Sequence, residues 1–321
     1  FSICRYKTGR QSSLWGKQVS FTYWNKPKLM IVKSFKWLLV WLLLLLPAHS
    51  VCAQKAVPRY RVAACDWMML KRQKLGEFAL ARQIGVDGVE LDMGPLGKRR
   101  LFDNKLRDRR EAEVFRRTAD SLGVAVASVA MSGFFAQSFI TRDNYRELIQ
   151  DCFRTMNFFG CKVAFLPLGG SSGEWQRPGA MRDTLVTRLR VVGEMAVREG
   201  VTIGIRTGQD ARADIRLLKK VGSDGIKIYY NLQDAADHGR DIARELKRLG
   251  RARVVQIHAS NTDSVNLRED PEIDLPHIRK VLDRMGWGGW LVVERSRDVR
   301  RVRDVKYNFS RNVAYIKEVF R

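Results

Sequence analysis

From Tyr60 onward the chain alternates short apolar, β-branched runs with longer amphipathic stretches. The runs Tyr60–Ala64, Gly88–Leu91, Val124–Val129, Val163–Leu168, Val201–Ile205, Ile226–Tyr230, Val254–Ile257 and Trp290–Val293 predict eight buried parallel strands. Between them, Lys71–Ile84, Arg109–Leu122, Asn144–Phe159, Met181–Arg198, Ala211–Val221, Gly239–Leu249, Leu275–Met285 and Asn308–Phe320 carry apolar residues at helical spacing. Gly85, Gly123, Gly160, Gly200, Gly222, Gly250 and Gly286 each follow a predicted helix, where a left-handed cap is expected. Eight such units fit an α/β fold, a single (β/α)₈ TIM barrel over residues 54–321. A doubly wound open sheet is the competing architecture, but the first strand lacks a following G-x-G-x-x-G.

Ahead of the barrel, Met30 opens a segment in which Lys33 and Lys36 precede ten apolar residues, Trp37–Leu46. Pro47 ends the run, and Val51-Cys52-Ala53 puts a small residue before Gln54. This is the layout of a secretory signal peptide, residues 30–53. Ten residues fall well short of the ~20 needed to cross a bilayer, so no membrane span is expected. Residues 1–29 are expected to lie upstream of the mature protein, which is then exported and periplasmic.

The formal net charge of +24 first suggests an acidic partner such as nucleic acid. Eight of the 58 Lys and Arg, and none of the 34 acidic residues, fall before Gln54, leaving 50 against 34. The rest is interspersed with acids, as in Asp103–Arg110 and Arg295–Arg303, which suits solvated helix faces better than a nucleic-acid groove. Cys65, Cys152 and Cys161 remain after Gln54, an odd number without metal-binding spacing, and read as core thiols.

Several strands end on a functional side chain: Glu90 and Asp92, Arg206, Asn231, His258 and Glu294. In a barrel these ends converge on one mouth. A carboxylate such as Glu294, after three apolar residues, is costly to bury unless paired. An amide oxygen, an imidazole and a carboxylate on three neighbouring strands suit a divalent ion such as Mn, Mg, Co or Zn.

The stretches ACDWMML, IGVDGVELDMG, AMSGFFAQSF, KVAFLPLG, IKIYYNLQDAADHGRD, VVQIHASNTD and MGWGGWLVVERSRD carry a resemblance. The chain resembles the sugar phosphate isomerase/epimerase family of xylose isomerase-like TIM barrels, in particular its exported bacterial members. The resemblance implies a divalent metal held by Glu, Asp or Asn, His and a second Glu at the ends of strands five to eight. It also implies that the two glutamates move a proton beside a sugar carbonyl through an enediol(ate). Asn231, His258 and Glu294 match three of these positions, with Glu294 as the remaining catalytic acid/base. The small-molecule partner implied is a carbohydrate, with Asp66 and Glu90 as hydroxyl partners and Trp67, Phe134 or Phe135 facing the ring.

The fourth position departs from the pattern: Ile203-Gly204-Ile205 is followed by Arg206 where the family places glutamate. A guanidinium has no lone pair to give a metal and repels a cation. Its side chain could turn away from a surviving metal, or fill the metal's place, pair with Glu294 and bind substrate directly. The functions in view are a sugar isomerase/epimerase, a lyase or hydratase on oxidised sugars, and a catalytically impaired carbohydrate-binding pseudoenzyme. A DNA-repair endonuclease needs more histidines than His238, His258 and His277 for its three zinc ions. N-terminal sequencing of protein recovered from the periplasm is expected to begin at Gln54; a mature chain retaining residues 1–29 would refute the export reading.

Overall fold

The computed structural model describes residues 58–170 and 173–321; the signal-peptide reading lies outside these residues. Eight parallel strands, β1 (Tyr60–Cys65), β2 (Gly88–Asp92), β3 (Ala125–Ala130), β4 (Val163–Pro167), β5 (Thr202–Arg206), β6 (Ile226–Asn231), β7 (Val254–His258) and β8 (Gly289–Val293), pair in chain order. Tyr60 of β1 pairs with Gly289 of β8, which closes the ring and excludes the open sheet. Helices α1 (Gly76–Ile84), α2 (Arg109–Leu122), α3 (Tyr145–Phe159), α4 (Ala180–Arg198), α5 (Ala211–Val221), α6 (Ile242–Leu249), α7 (Leu275–Met285) and α8 (Val305–Phe320) follow the strands in turn.

The sequence explains most helix boundaries. Asp108, Asp210, Asp241, Asp274 and Asp304 accept backbone N–H bonds as N-caps of α2, α5, α6, α7 and α8. The caps at Asp241 and Asp304 move the starts of α6 and α8 from the predicted Gly239 to Ile242 and from Asn308 to Val305. Gly85, Gly123, Gly160, Gly222 and Gly286 close their helices in the left-handed conformation. Gly250 departs from this expectation, with φ 72° but an extended ψ of 161°.

The first predicted helix is the largest deviation. It begins at Gly76 rather than Lys71, and Lys71, Arg72 and Gln73 all have positive φ. Tertiary hydrogen bonds impose this conformation: the Asp66 carboxylate accepts the Gln73 N–H at 2.9 Å, and Arg72 Nε donates to Asp92 at 2.9 Å.

Two apolar clusters hold the barrel. The larger joins the sheet's outer face to the helices. The smaller, including Ala63, Ala127, Phe165, Tyr229, Trp290 and Val292, packs the lumen. Gly204 leaves room there, since a Cβ on it would come within 2.9 Å of Val255 Cγ1 and 3.0 Å of Tyr229 Cβ. Gly204→Ala is therefore expected to cost about 1–3 kcal/mol by overpacking, measured as a lower urea midpoint with unchanged slope.

Candidate functional site

At the C-terminal ends of the strands, His258 lies wholly buried at the end of β7. Its ring rests against Tyr229 and Phe165, at centroid distances of 4.4 and 4.8 Å, with Trp67 edge-on at 6.2 Å. Below it, Glu90 is also fully buried. Glu90 accepts from His258 Nε2 at 2.8 Å, Ser128 Oγ at 2.6 Å and Tyr229 Oη at 2.7 Å. Gln256 Nε2 donates to both of those hydroxyls, at 2.8 and 2.9 Å, which leaves their protons for Glu90. Both oxygens of the carboxylate are thus engaged, Oε1 by the imidazole and Oε2 by the two hydroxyls, which turns the Nε2 proton of His258 toward Glu90. Nδ1 keeps its lone pair and faces the mouth. Burial, then the charge of Glu90, pushes the Tyr229 phenol far above its usual range, so it stays a donor.

Glu294, immediately after β8, is nearly buried and meets three groups at one oxygen. Its Oε2 lies 3.5 Å from His258 Nδ1, 3.5 Å from Asn231 Nδ2 and 3.5 Å from Arg206 Nη1. Asn231 is turned by its local role. Its Oδ1 accepts the Gln233 N–H at 2.9 Å, capping the helical turn Leu232–Ala236, so the side-chain NH₂ points at His258 and Glu294.

Arg206 leaves the end of β5 and forks onto Asp234, with Nη2 to Oδ1 at 2.7 Å and Nε to Oδ2 at 3.0 Å. Its guanidinium carbon lies 5.5 Å from the Phe135 ring centroid. Burial works against its charge, but the Asp234 hydrogen bonds and the Glu294 field outweigh it, and its pKa is raised. Arg206, Phe135, Asp234 and the β4 end at Pro167–Gly169 line a cavity of about 170 Å³.

The residues present do not fit a divalent cation. Such an ion needs lone pairs converging at about 2.0–2.6 Å. Here the amide offers hydrogens, the β5 position carries a positive charge, and the oxygens of Asp234 are engaged by Arg206. Among the described residues no group of three or more His, Cys, Asp and Glu is arranged to hold a metal. His238 and His277 are exposed, and His238 Nδ1 is hydrogen-bonded to the Asp234 backbone carbonyl at 2.8 Å.

Several expected substrate contacts are corrected by this geometry. Glu90 supports His258 from beneath and has no free oxygen to offer a sugar. Phe134 is fully buried, edge-on to Phe102 and Phe139, because its short 3₁₀ turn points it into the core; Phe135 faces the cavity instead. Asp66 is sealed under the Lys71–Gln73 turn, accepting from Gln73 N and Asp92 N, and burial beside Asp92 raises its pKa far above the carboxylate range. Trp67 is partly exposed and stacks on Phe165 at 6.3 Å with 5° between the rings. Asp234, Tyr229, Ser128 and Gln256 were not anticipated. Tyr229 and Gln256 lie two residues before Asn231 and His258, a spacing that puts them on the same face of their strands. Asp234 sits three residues after Asn231 at the first turn of a capped helix, a weaker signal.

A family model described as xylose isomerase-like TIM barrel matches residues 78–319. The chain belongs to that family. Its barrel is similar to D-psicose 3-epimerase with D-tagatose from Clostridium cellulolyticum H10, at 12% identity and TM-score 0.65 over 81% of this chain and 99% of that one. It is also similar to 3-keto-D-glucoside 4-epimerase from E. coli, at 16% identity and TM-score 0.64 over 81% and 99%. AP endonuclease, family 2, from Brucella melitensis shares the barrel at 16% identity and TM-score 0.62 over 83% and 100%. At these identities the likeness establishes the fold. A comparison with curated protein sequences finds no match. No helix among the described residues is long and apolar enough to cross a membrane.

Beside the mouth, Thr207 Oγ1 donates to the buried Asp214 at 2.6 Å. Burial raises Asp214 to about 7, partly opposed by that bond. A carboxyl whose folded pKa is raised favours the folded state most while protonated. Its contribution is full below about 4 and is lost as pH rises to about 7. Replacing Asp214 by Asn is expected to flatten the fall in stability across that window, read from urea midpoints at pH 4 to 8.

Proposed function

We propose that this member of the family is a carbohydrate-binding barrel of the isomerase/epimerase type that handles its sugar without a divalent metal, with proton transfer curtailed. The observation that carries this reading is the position of Arg206, forked onto Asp234 with its free nitrogen 3.5 Å from Glu294. Arg206 puts a positive charge where a cation would sit and engages the oxygens of Asp234, so the position offers a metal ion repulsion in place of lone pairs. The groups around Glu294 nevertheless offer a polyhydroxy ligand what it needs. Arg206 and Asn231 donate, Glu294 and His258 Nδ1 accept, and Trp67 and Phe135 supply apolar surface for a sugar face. Two acids against one base at Arg206, Asp234 and Glu294 favour a neutral sugar over a phosphorylated one. That is also the ligand expected of an exported protein.

Inverting a stereocentre by proton transfer takes a base on one face and an acid on the other. Glu294 and His258 Nδ1 lie on one side of the site, and the family's second glutamate position is Arg206. A second reading follows from that one-sided arrangement: loss of a proton and a leaving group from the same face of an oxidised sugar, a lyase reaction, needs only the groups present.

The test combines metal analysis with ligand binding. The chain purified without chelator is expected to hold less than about one-tenth of an equivalent of divalent metal, and to bind ketoses such as D-fructose or D-tagatose with affinity unmoved by EDTA. Epimerisation of the same ketoses is expected to be undetectable, and β-elimination from a 3-keto-glucoside would select the lyase reading. Stoichiometric metal with EDTA-sensitive turnover would overturn the proposal. A second expectation concerns the support beneath the site. Replacing Glu90 by Ala strands three buried donors and should cost about 3 kcal/mol or more, measured by urea unfolding.

A further inference from the structure

The end of the barrel opposite the mouth holds a feature the sugar site does not use. Strands β3 and β4 pair only through Val129–Ala164 and Ala130–Phe165, the last two residues of β3 against the second and third of β4, whereas β4 and β5 pair over five residues. Ala125–Ser128 of β3 are therefore left without a partner on β4, and a cavity of about 450 Å³ opens between Val124–Ala127 and the Phe159–Val163 segment that leads into β4. Its wall includes Trp290 at the start of β8 and Phe159 at the end of α3. Arg61 of β1 is the register partner of Trp290, and its guanidinium carbon lies 4.0 Å from the indole centroid. That stacking fixes a cation over an aromatic face while leaving the guanidinium edge open. Lys162, immediately before β4, lines the same space.

The charges there do not cancel. Asp120, the acid in the wall, is paired with Arg116 at 3.3 Å. Asp87, the acid whose field reaches Arg61, is held by Lys317 at 2.9 Å and also by Arg321. No ion pair within 4.0 Å engages Arg61 or Lys162 among the described residues. Arg61 is also partly buried, which disfavours its charged form. Arg61, half-buried against the indole, and the exposed Lys162 thus present two positive charges to one cavity, with no ion-pair partner for either among the described residues.

We propose that this cavity is a second ligand site, separate from the barrel mouth, that takes a small organic anion: a phosphate or carboxylate bound by Arg61 and Lys162, carried on an apolar body lying along Trp290 and Phe159. The site is electrostatic at one end and aromatic at the other, so it distinguishes an aryl or alkyl anion from a bare one. Trp290 and Glu294 stand at opposite ends of β8, four residues and so roughly 13 Å apart at about 3.3 Å per residue, and occupancy of one end does not require occupancy of the other.

Calorimetric titration of the full chain with phenyl phosphate, and separately with inorganic phosphate, tests the proposal. Saturable binding of phenyl phosphate is expected, about tenfold or more tighter than inorganic phosphate, and weakening as salt is raised. Arg61→Gln and Lys162→Gln should each weaken it about tenfold or more, while Arg61→Lys should retain part of it, as a charge without the planar fork. Arg206→Ala at the mouth should leave it unchanged. The proposal fails if phenyl phosphate does not saturate, if both glutamine variants bind as the natural chain does, if inorganic phosphate binds equally well, or if Arg206→Ala abolishes binding. Should Arg61→Gln prove unfolded by circular dichroism, Lys162→Gln, a change at an exposed side chain, decides the outcome.

Discussion

The site depends on one buried charge. Glu90 sits inside a closed ring of strands, out of reach of water, and a lone carboxylate there would be prohibitively costly. Three donors from three other strands make it tolerable: Ser128 from β3, Tyr229 from β6 and His258 from β7. Each bond also fixes the donor. The Tyr229 ring is held against Phe165 and His258, and the imidazole is held in one tautomer. Gln256 ties the two hydroxyls together from below. A group that does not touch the mouth therefore decides which nitrogen of His258 does.

Above this platform the chemistry is governed by Arg206. A guanidinium on β5 draws Asp234 from the turn after β6 and Glu294 from the end of β8. Those pairings turn the barrel's acidic rim from a set of lone pairs into a set of satisfied ion pairs. The amide of Asn231 follows the same logic by a local route, since its oxygen is fixed by the helical turn it caps. The result is a rim in which hydrogen-bond donors and acceptors are set by local caps and ion pairs.

The two ends of the barrel also differ in how they treat charge. At the mouth Asp234 and Glu294 both face Arg206. At the base, the parting of β3 from β4 leaves Arg61 and Lys162 facing space. The difference originates in backbone pairing: only a wall that opens can give a cavity at the end of the barrel normally reserved for stability.

The order of strands and helices, and the closed ring they form, were readable from the alternation of apolar runs with amphipathic stretches, because burial on both faces of a parallel strand leaves a local imprint. The strand-end residues Arg206, Asn231, His258 and Glu294 were readable as well, since a polar side chain closing an apolar run is itself a local signal. Capping aspartates are equally local signals, and the starts predicted for α6 and α8 from apolar periodicity alone missed them. What the sequence could not carry was direction. Phe134 and Phe135 are adjacent and chemically identical, and only the 3₁₀ turn decides that one enters the core and the other faces the cavity. Glu90 looks like an exposed hydrogen-bonding residue until strands β3, β6 and β7 close over it, and Arg206 finds Asp234 only because β5 and β6 are neighbours. Pattern along the chain settles which residues are buried; the partners that neutralise them come from segments far away, and those are chosen when the ring closes.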